Sequence, residues 1–392
     1  MWALICRSDY RIATPLLLLP DSAWKEIYRL NKVCTSWKAE QKWNIVEINN
    51  LLDEERECYN IPVRICQIAL TLELDWIKLS VNIRMEIATA NNQEELRDKI
   101  LKRKKDLNAV IMAHNYQRPE VQDIADFVGD SLELARQATQ LDVEVIVFCA
   151  VHFMAESAAI LNPTRTVLLA ESTAGCPMAD MIDAEDLKGW KKRYPKATVV
   201  CYVNTTAAVK AESDICCTSA NAVKVVESVP NDEILFIPDQ NLGNFVAART
   251  KKRIISYPGY CITHARLNAK QVIMAKQAHP DAVVVVHPEC TTEVIELADA
   301  ALSTSQMAKY IKESRAKKFL IGTEEGLVHR LKKENPDKTF YVISRALMCP
   351  NMKRTTLEGL AQTMELKRNV VVVPEDIRLR AKRALDRMLA IV

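Results

Sequence analysis

The chain has 392 residues, 49% of them hydrophobic, and a formal net charge of +3. That length accommodates two to four domains with buried sheets. So mild a charge gives no basis for nucleic acid or a membrane as the main partner, and the longest leucine run, Leu16–Leu19 between Pro15 and Pro20, is far too short to span a bilayer or form a signal-peptide core.

Taken in chain order, residues 1–88 hold five of the six tryptophans and no glycine, and they predict an appended helical extension. The segment starting at Met85 reads as a natural beginning, with Asn91 as N-cap of a helix from Glu94. On that reading residues 1–84 are either an accessory helical domain or an upstream extension. The basic run Arg97–Lys105 reads as a solvated helix face. From residue 107 onward, short apolar and often β-branched runs alternate with amphipathic patterns, the mark of βαβ units with parallel sheets. The expected strands are Ala109–Ala113, Val143–Phe148 and Thr166–Leu169, then Thr198–Tyr202, Ile234–Ile237 and Arg253–Ser256, then Ala282–Val286, Lys318–Ile321 and Thr339–Ile343. Crossover helices are expected at Leu132–Gln140 and Asn221–Glu227, and a capping helix at Glu375–Leu389. The organisation is therefore an extension (1–88), three repeat domains (89–187, 188–271, 272–355) and a helical tail (356–392).

The three groups of strands repeat one another in detail. His114 ends the first strand and Ser131 follows it by seventeen positions; Tyr202 and Ser219 stand at the same interval, and so do His287 and Thr304. The starts lie 88 and 85 residues apart. Cys176, Cys261 and Cys349, each in a loop after the last strand of its group, lie 85 and 88 apart. Periods this long point to duplicated small domains around a pseudo-axis, which would bring the equivalent positions together in one cleft. In open α/β sheets ligands bind beyond the carboxyl ends of the strands, where helices begin and favour anions. Ser131, Ser219 and Thr304 would then face a substrate carrying carboxylates or phosphate, although any one of them alone could simply be an N-cap.

Twelve cysteines occur without any CxxC pair, which removes the main support for zinc-ribbon and thioredoxin readings. Cys149 in VIVFCAV and Cys201 in VVCYV sit inside apolar runs as buried free thiols would, which suggests a reducing, cytoplasmic location. Three converging thiolates at Cys176, Cys261 and Cys349 suit an iron–sulfur cluster with one iron left without a protein ligand. Zinc held by the three cysteines with His264, or no metal at all, are the competing readings. His114, Tyr116, Tyr202, His287 and Glu289 could move protons, and Asn204 could orient a carboxylate or carbonyl. His152 and Glu156 lack the HExxH order and read as a helix-face contact; His279 and His329 read as surface or helix residues.

The blocks AHNYQRPEVQDIADFVGDS (113–131), VHFMAE (151–156), AGCPMAD (174–180), YVNTTAAVKAESDICCTSANAV (202–223), PDQNLGNFVA (238–247), PGYC (258–261), HPEC (287–290), STSQM (303–307), IGTEEGLVHRLKKENPDK (321–338) and CPNMK (349–353) resemble the quinolinate synthase family, from about residue 90 to the end. The resemblance implies three stacked αβα domains with pseudo-threefold symmetry and a 4Fe-4S cluster held by Cys176, Cys261 and Cys349. It implies substrate contacts at His114, Ser131, Tyr202, Asn204, Ser219, His287, Glu289 and Thr304, with Tyr116, His287 and Glu289 in the proton transfers. The implied reaction condenses iminoaspartate with dihydroxyacetone phosphate to quinolinate in the making of NAD, with L-aspartate oxidase as the upstream supplier. Leu302 departs from the family's usual glycine and is expected to tighten the third loop. Other threefold iron–sulfur enzymes, such as a diphthamide-type radical enzyme or a reductase of isoprenoid diphosphates, are rivals that AHNYQ and HPE argue against, and a cluster-based sensor is disfavoured because it needs no array of acid, base and anion-binding groups.

Overall fold

The computed structural model describes residues 93–391. The readings made on the N-terminal extension, and on a start at Met85 with an Asn91 cap, lie outside the described residues. A helix at 93–106 carries the basic run, whose side chains are mostly exposed, as a solvated face requires.

Three four-stranded parallel sheets follow, with flanking helices in an α/β three-layer pattern. The first contains β1 (Ala109–His114), β2 (Phe127–Gly129), β3 (Val145–Cys149) and β4 (Thr166–Leu169) in the order β2-β1-β3-β4. The second contains β5 (Thr198–Tyr202), β6 (Ile215–Cys217), β7 (Glu233–Ile237) and β8 (Arg253–Ser256), ordered β6-β5-β7-β8. The third contains β9 (Val283–Val286), β10 (Ala300–Ala301), β11 (Lys318–Gly322) and β12 (Thr339–Val342), ordered β10-β9-β11-β12. One topology thus occurs three times. The inner strands are buried on both faces, β3 along its whole length, which is why they read as continuous apolar runs rather than alternating ones.

The nine expected strands are all present, with ends shifted by two residues at most. The edge strands β2, β6 and β10 were not expected. Their register accounts for the repeated interval. Met112 pairs with Phe127, Val200 with Ile215 and Val285 with Ala300, each fifteen positions on. The hydroxyl residue stands two places past the edge strand in the first two repeats and three past it in the third, where the central and edge strands each end one residue earlier, so it falls seventeen after His114, Tyr202 and His287 alike. An aspartate pins each pairing. Asp126 accepts the Ile111 N–H at 2.9 Å and returns its own N–H to Ile111 O at 2.8 Å. Asp214 does the same with Val199 and Asp299 with Val284.

Leu302, in place of the usual glycine, donates its N–H to Val286 O at 2.9 Å, and its side chain packs against the core of the third sheet. Its backbone is not in the left-handed region, so this loop has no need of glycine.

One apolar core joins the first two sheets, and the C-terminal helix Glu375–Leu389 inserts Ala381, Ala384, Leu385 and Met388 into it. Arg380 pairs with Glu212, and Arg387 donates to Asp214 O at 2.7 Å, so the tail helix clamps the second sheet's helices while Arg136 binds Ile391 O beside the first. The expected cap is this helix. No helix among the described residues is long and apolar enough to cross a membrane.

Candidate active site

The carboxyl ends of β1, β5 and β9 point into one cavity of about 190 Å³. His114, Tyr116, Ser131, Cys176, Tyr202, Asn204, Ser219, Cys261, His287, Glu289, Thr304 and Cys349 all line it. Every residue singled out from the spacing and the motifs is therefore brought together.

The hydroxyls are not helix caps in the first and third repeats. Asp130 caps the helix Ser131–Gln140 and Ser303 caps Thr304–Glu313, each in a reciprocal capping box, so Ser131 and Thr304 are first helical residues whose side chains are spared for the cavity. Ser219 lies in a turn closed by Asn221 Oδ1 accepting the Thr218 N–H at 2.8 Å. Asn204 Oδ1 is buried at the cavity and has no hydrogen-bond partner among the described residues, which suits an acceptor awaiting a ligand donor.

The two strand-end histidines share a device. His114 Nδ1 accepts the Tyr116 N–H at 3.1 Å, and His287 Nδ1 accepts the Glu289 N–H at 3.3 Å. Burial holds both imidazoles down to about 3, the charge of Glu289 opposing it only in part, so both are neutral at physiological pH. With Nδ1 occupied as acceptor, Nε2 carries the hydrogen and can donate.

Glu289 is the hub. Its Oε2 stands 2.6 Å from His264 Nδ1, and its Oε1 accepts the Tyr202 phenol at 2.5 Å. Burial opposes its charge, yet His287, His264 and the two hydrogen bonds outweigh that and hold the carboxyl below its usual range. Burial and the Glu289 charge push the phenols of Tyr116 and Tyr202 well above theirs, so both are proton donors at neutral pH. Thr323 Oγ1 bridges Tyr116 Oη at 2.6 Å and His264 Nε2 at 2.9 Å. His264 is also stacked on His287, ring centroids 4.6 Å apart.

The three thiols are free, half-buried and alike in setting. Each opens a short helical turn: Ala179–Met181 after Cys176, Ile262–Ala265 after Cys261, Met352–Arg354 after Cys349. Backbone N–H groups face each sulfur, from Met178 and Ala179, from His264, and from Asn351 and Met352 respectively. Burial raises all three, Cys176 to about 12, while those N–H groups favour the thiolate. Such donors fit a bound cation or cluster that would itself draw the protons off. Cys261, His264 and Glu289 also lie close enough, within 4.8 Å of one another, to hold a metal ion.

Other histidines lie outside. His152 Nδ1 is 3.9 Å from Glu156 Oε1 along one helix, His279 stacks on Tyr341, and His329 pairs with Asp123. Reasoning from the sequence missed Thr323 and Glu324, and took His264 only as a metal ligand. Thr323 and Glu324 immediately follow β11, the place that had identified the others, and this was the available signal.

A thrice-repeated α/β chain with acid, base and thiol groups converging at its strand ends defines an enzyme with one composite cavity. The chain belongs to the quinolinate synthetase A protein family, whose model matches residues 98–390. It is 58% identical over 296 residues to a quinolinate synthase of Thermodesulfovibrio yellowstonii, covering 75% of this chain and 98% of that protein. A quinolinate synthase of Dehalococcoides mccartyi (strain CBDB1) is 56% identical over 300 residues, 76% of this chain and 99% of its own. Quinolinate synthase 1 of Methanosarcina acetivorans is 55% identical over 299 residues, again 76% of this chain and 98% of that protein.

Proposed function

We propose that this protein is a cytoplasmic quinolinate synthase acting in NAD biosynthesis. Iminoaspartate condenses with dihydroxyacetone phosphate, and phosphate and two waters leave as the pyridine ring closes. The observation that carries the reading is the meeting, in one cavity, of Cys176, Cys261 and Cys349 with the acid–base set around Glu289, in a chain more than half identical to proteins of that name.

Cys176, Cys261 and Cys349 would hold a 4Fe-4S cluster, as their common setting and donor type support. When bound, it would supply Lewis-acid chemistry of the kind that eases loss of water. The remaining work falls to the chain. Ser131, Ser219 and Thr304 donate to the carboxylate and phosphate oxygens at helix N-termini, and Asn204 orients the imine partner. Neutral His114 and His287 donate from Nε2 to developing oxyanions. Glu289, kept ionised, is the base for the triose carbon, and Tyr202 and Tyr116, kept protonated, are the acids. Thr323 and His264 link Tyr116 to Glu289 and allow the proton to return. The cavity walls keep water from the imine. L-aspartate oxidase, producing iminoaspartate, is the proposed supplier.

The test is anaerobic purification, a visible spectrum and an assay of quinolinate formation, with Cys176, Cys261 and Cys349 replaced singly by Ala. Each replacement should abolish both the cluster absorption and the activity. An unchanged spectrum and rate would defeat the assignment.

A further inference from the structure

Asn115 lies between two residues of the cavity, His114 and Tyr116, yet its own side chain is turned away from it and fully buried. Its Nδ2 donates to Thr304 Oγ1 at 2.8 Å, across 189 residues of sequence, and its Oδ1 accepts from Arg330 Nη1 at 2.9 Å. Arg330 is anchored in turn, through Nε to Glu334 at 2.7 Å and through Nη1 toward Val128 O and Glu133.

We infer that Arg330 and Asn115 together fix the direction of the Thr304 hydroxyl, making it a hydrogen-bond donor to an oxyanion of the substrate. The inference rests on the reading above that Thr304 touches substrate. A guanidinium can only donate, so the amide must turn its oxygen to Arg330 and its nitrogen to Thr304. The amide nitrogen can only donate, so Thr304 Oγ1 accepts there and keeps its own hydrogen for another partner. Thr304 is 2% exposed, lines the cavity, and has no second hydrogen-bond partner among the described residues. The hydrogen is therefore presented to the ligand, as binding of a carboxylate or phosphate oxygen requires. Asn115 and Arg330 are positioning residues, acting on the substrate only through Thr304.

The test uses cluster-loaded protein and apparent KM values for both substrates, with Tm as a control. Thr304→Val should raise at least one KM about tenfold, the scale of one hydrogen bond to a charged group. Asn115→Asp is the diagnostic variant. It keeps the side-chain shape and can still pair with Arg330, but a carboxylate only accepts, so the Thr304 hydrogen turns back to it and away from the cavity. That variant should raise the same KM about tenfold, lower kcat less, and leave Tm undiminished. In the Thr304→Val background it should add less than twofold. Arg330→Met, which frees the amide to rotate, should raise the same KM about threefold. An effect of Asn115→Asp that persists in full without the hydroxyl would mean charge repulsion and overturn the inference. So would an unchanged KM in Asn115→Asp, while an unchanged KM in Arg330→Met would remove Arg330 from it. If Thr304→Val itself alters neither KM, the substrate contact assigned under the proposed function is what has failed.

Discussion

The carboxylate of Glu324 accepts the backbone N–H of Cys349 at 3.0 Å. The ammonium of Lys353 lies within 3.1 Å of both of its oxygens and also donates to Tyr116 O at 2.7 Å. One buried ion pair thus ties a sulfur ligand of the proposed cluster to a tyrosine of the proposed proton path. Replacing Glu324 by Gln keeps an acceptor for Cys349 but strands Lys353. Loss of one member of a buried pair costs about 3 kcal/mol, and removing both costs less. Thermal unfolding and iron content should both fall in Glu324→Gln and recover in large part in Glu324→Gln with Lys353→Met. If the double variant is no better than the single one, the pairing is not what holds this loop.

Gly326 leaves no room for a side chain. A Cβ there would stand 2.8 Å from the carbonyl carbon and oxygen of Tyr116 and from Lys353 Nζ. Its φ is −59°, so the reason is close approach rather than backbone conformation. Gly326→Ala should push Tyr116 out of line and lower kcat between about tenfold and a hundredfold, since small misplacements of reacting groups are costly. The fold should survive, as judged by circular dichroism. Wild-type kcat in this variant would show that Tyr116 needs no such placement.

Stability should fall on mild acidification. In the folded chain burial holds His114 and His287 down to about 3, against an ordinary value of 6.5. Between those limits the unfolded chain binds more protons, so stability decreases as pH drops below about 6.5 and continues to decrease toward 3. His114→Asn retains an acceptor for the Tyr116 N–H but cannot titrate. Its Tm should decline less steeply than that of the wild type from pH 7.5 to 5.5. Parallel curves for the two proteins would contradict the assignment of a neutral, buried His114.

The tail helix should carry stability for the first two sheets together. Leu385 is fully buried in the core they share. Truncation to Ala should cost about 2–5 kcal/mol, as cavity-forming leucine deletions do, read as a shift in the urea midpoint. A shift worth less than about 1 kcal/mol would indicate that the helix is a loose appendage.

The inner strands were legible because burial on both faces demands unbroken apolar runs, and VIVFC or VVVV admits little else. Ala300–Ala301 has no such pattern. A two-residue edge strand exists only through its register with Val285 and Val286 and the bonds of Asp299, neither of which is a local signal. The site divides in the same way. Residues that touch the cavity could be found, because the repeats mark the strand ends from which they project. Residues that support them could not, because Arg330 meets Asn115 across 215 positions and Lys353 reaches Tyr116 across 237. Those contacts depend on how one repeat lies against another, which has no sequence period.

The aspartate-pinned edge strands bear on how such a chain can change length. Between Asp126 and Ser131, Asp214 and Ser219, or Asp299 and Thr304, a single inserted residue would shift the edge strand past its pinned register and swing the hydroxyl off the cavity. The spacing from one repeat to the next is free of that constraint, and it already differs by three residues. Growth and loss are thus channelled into the outer loops, leaving the short interval as a fixed ruler within each copy.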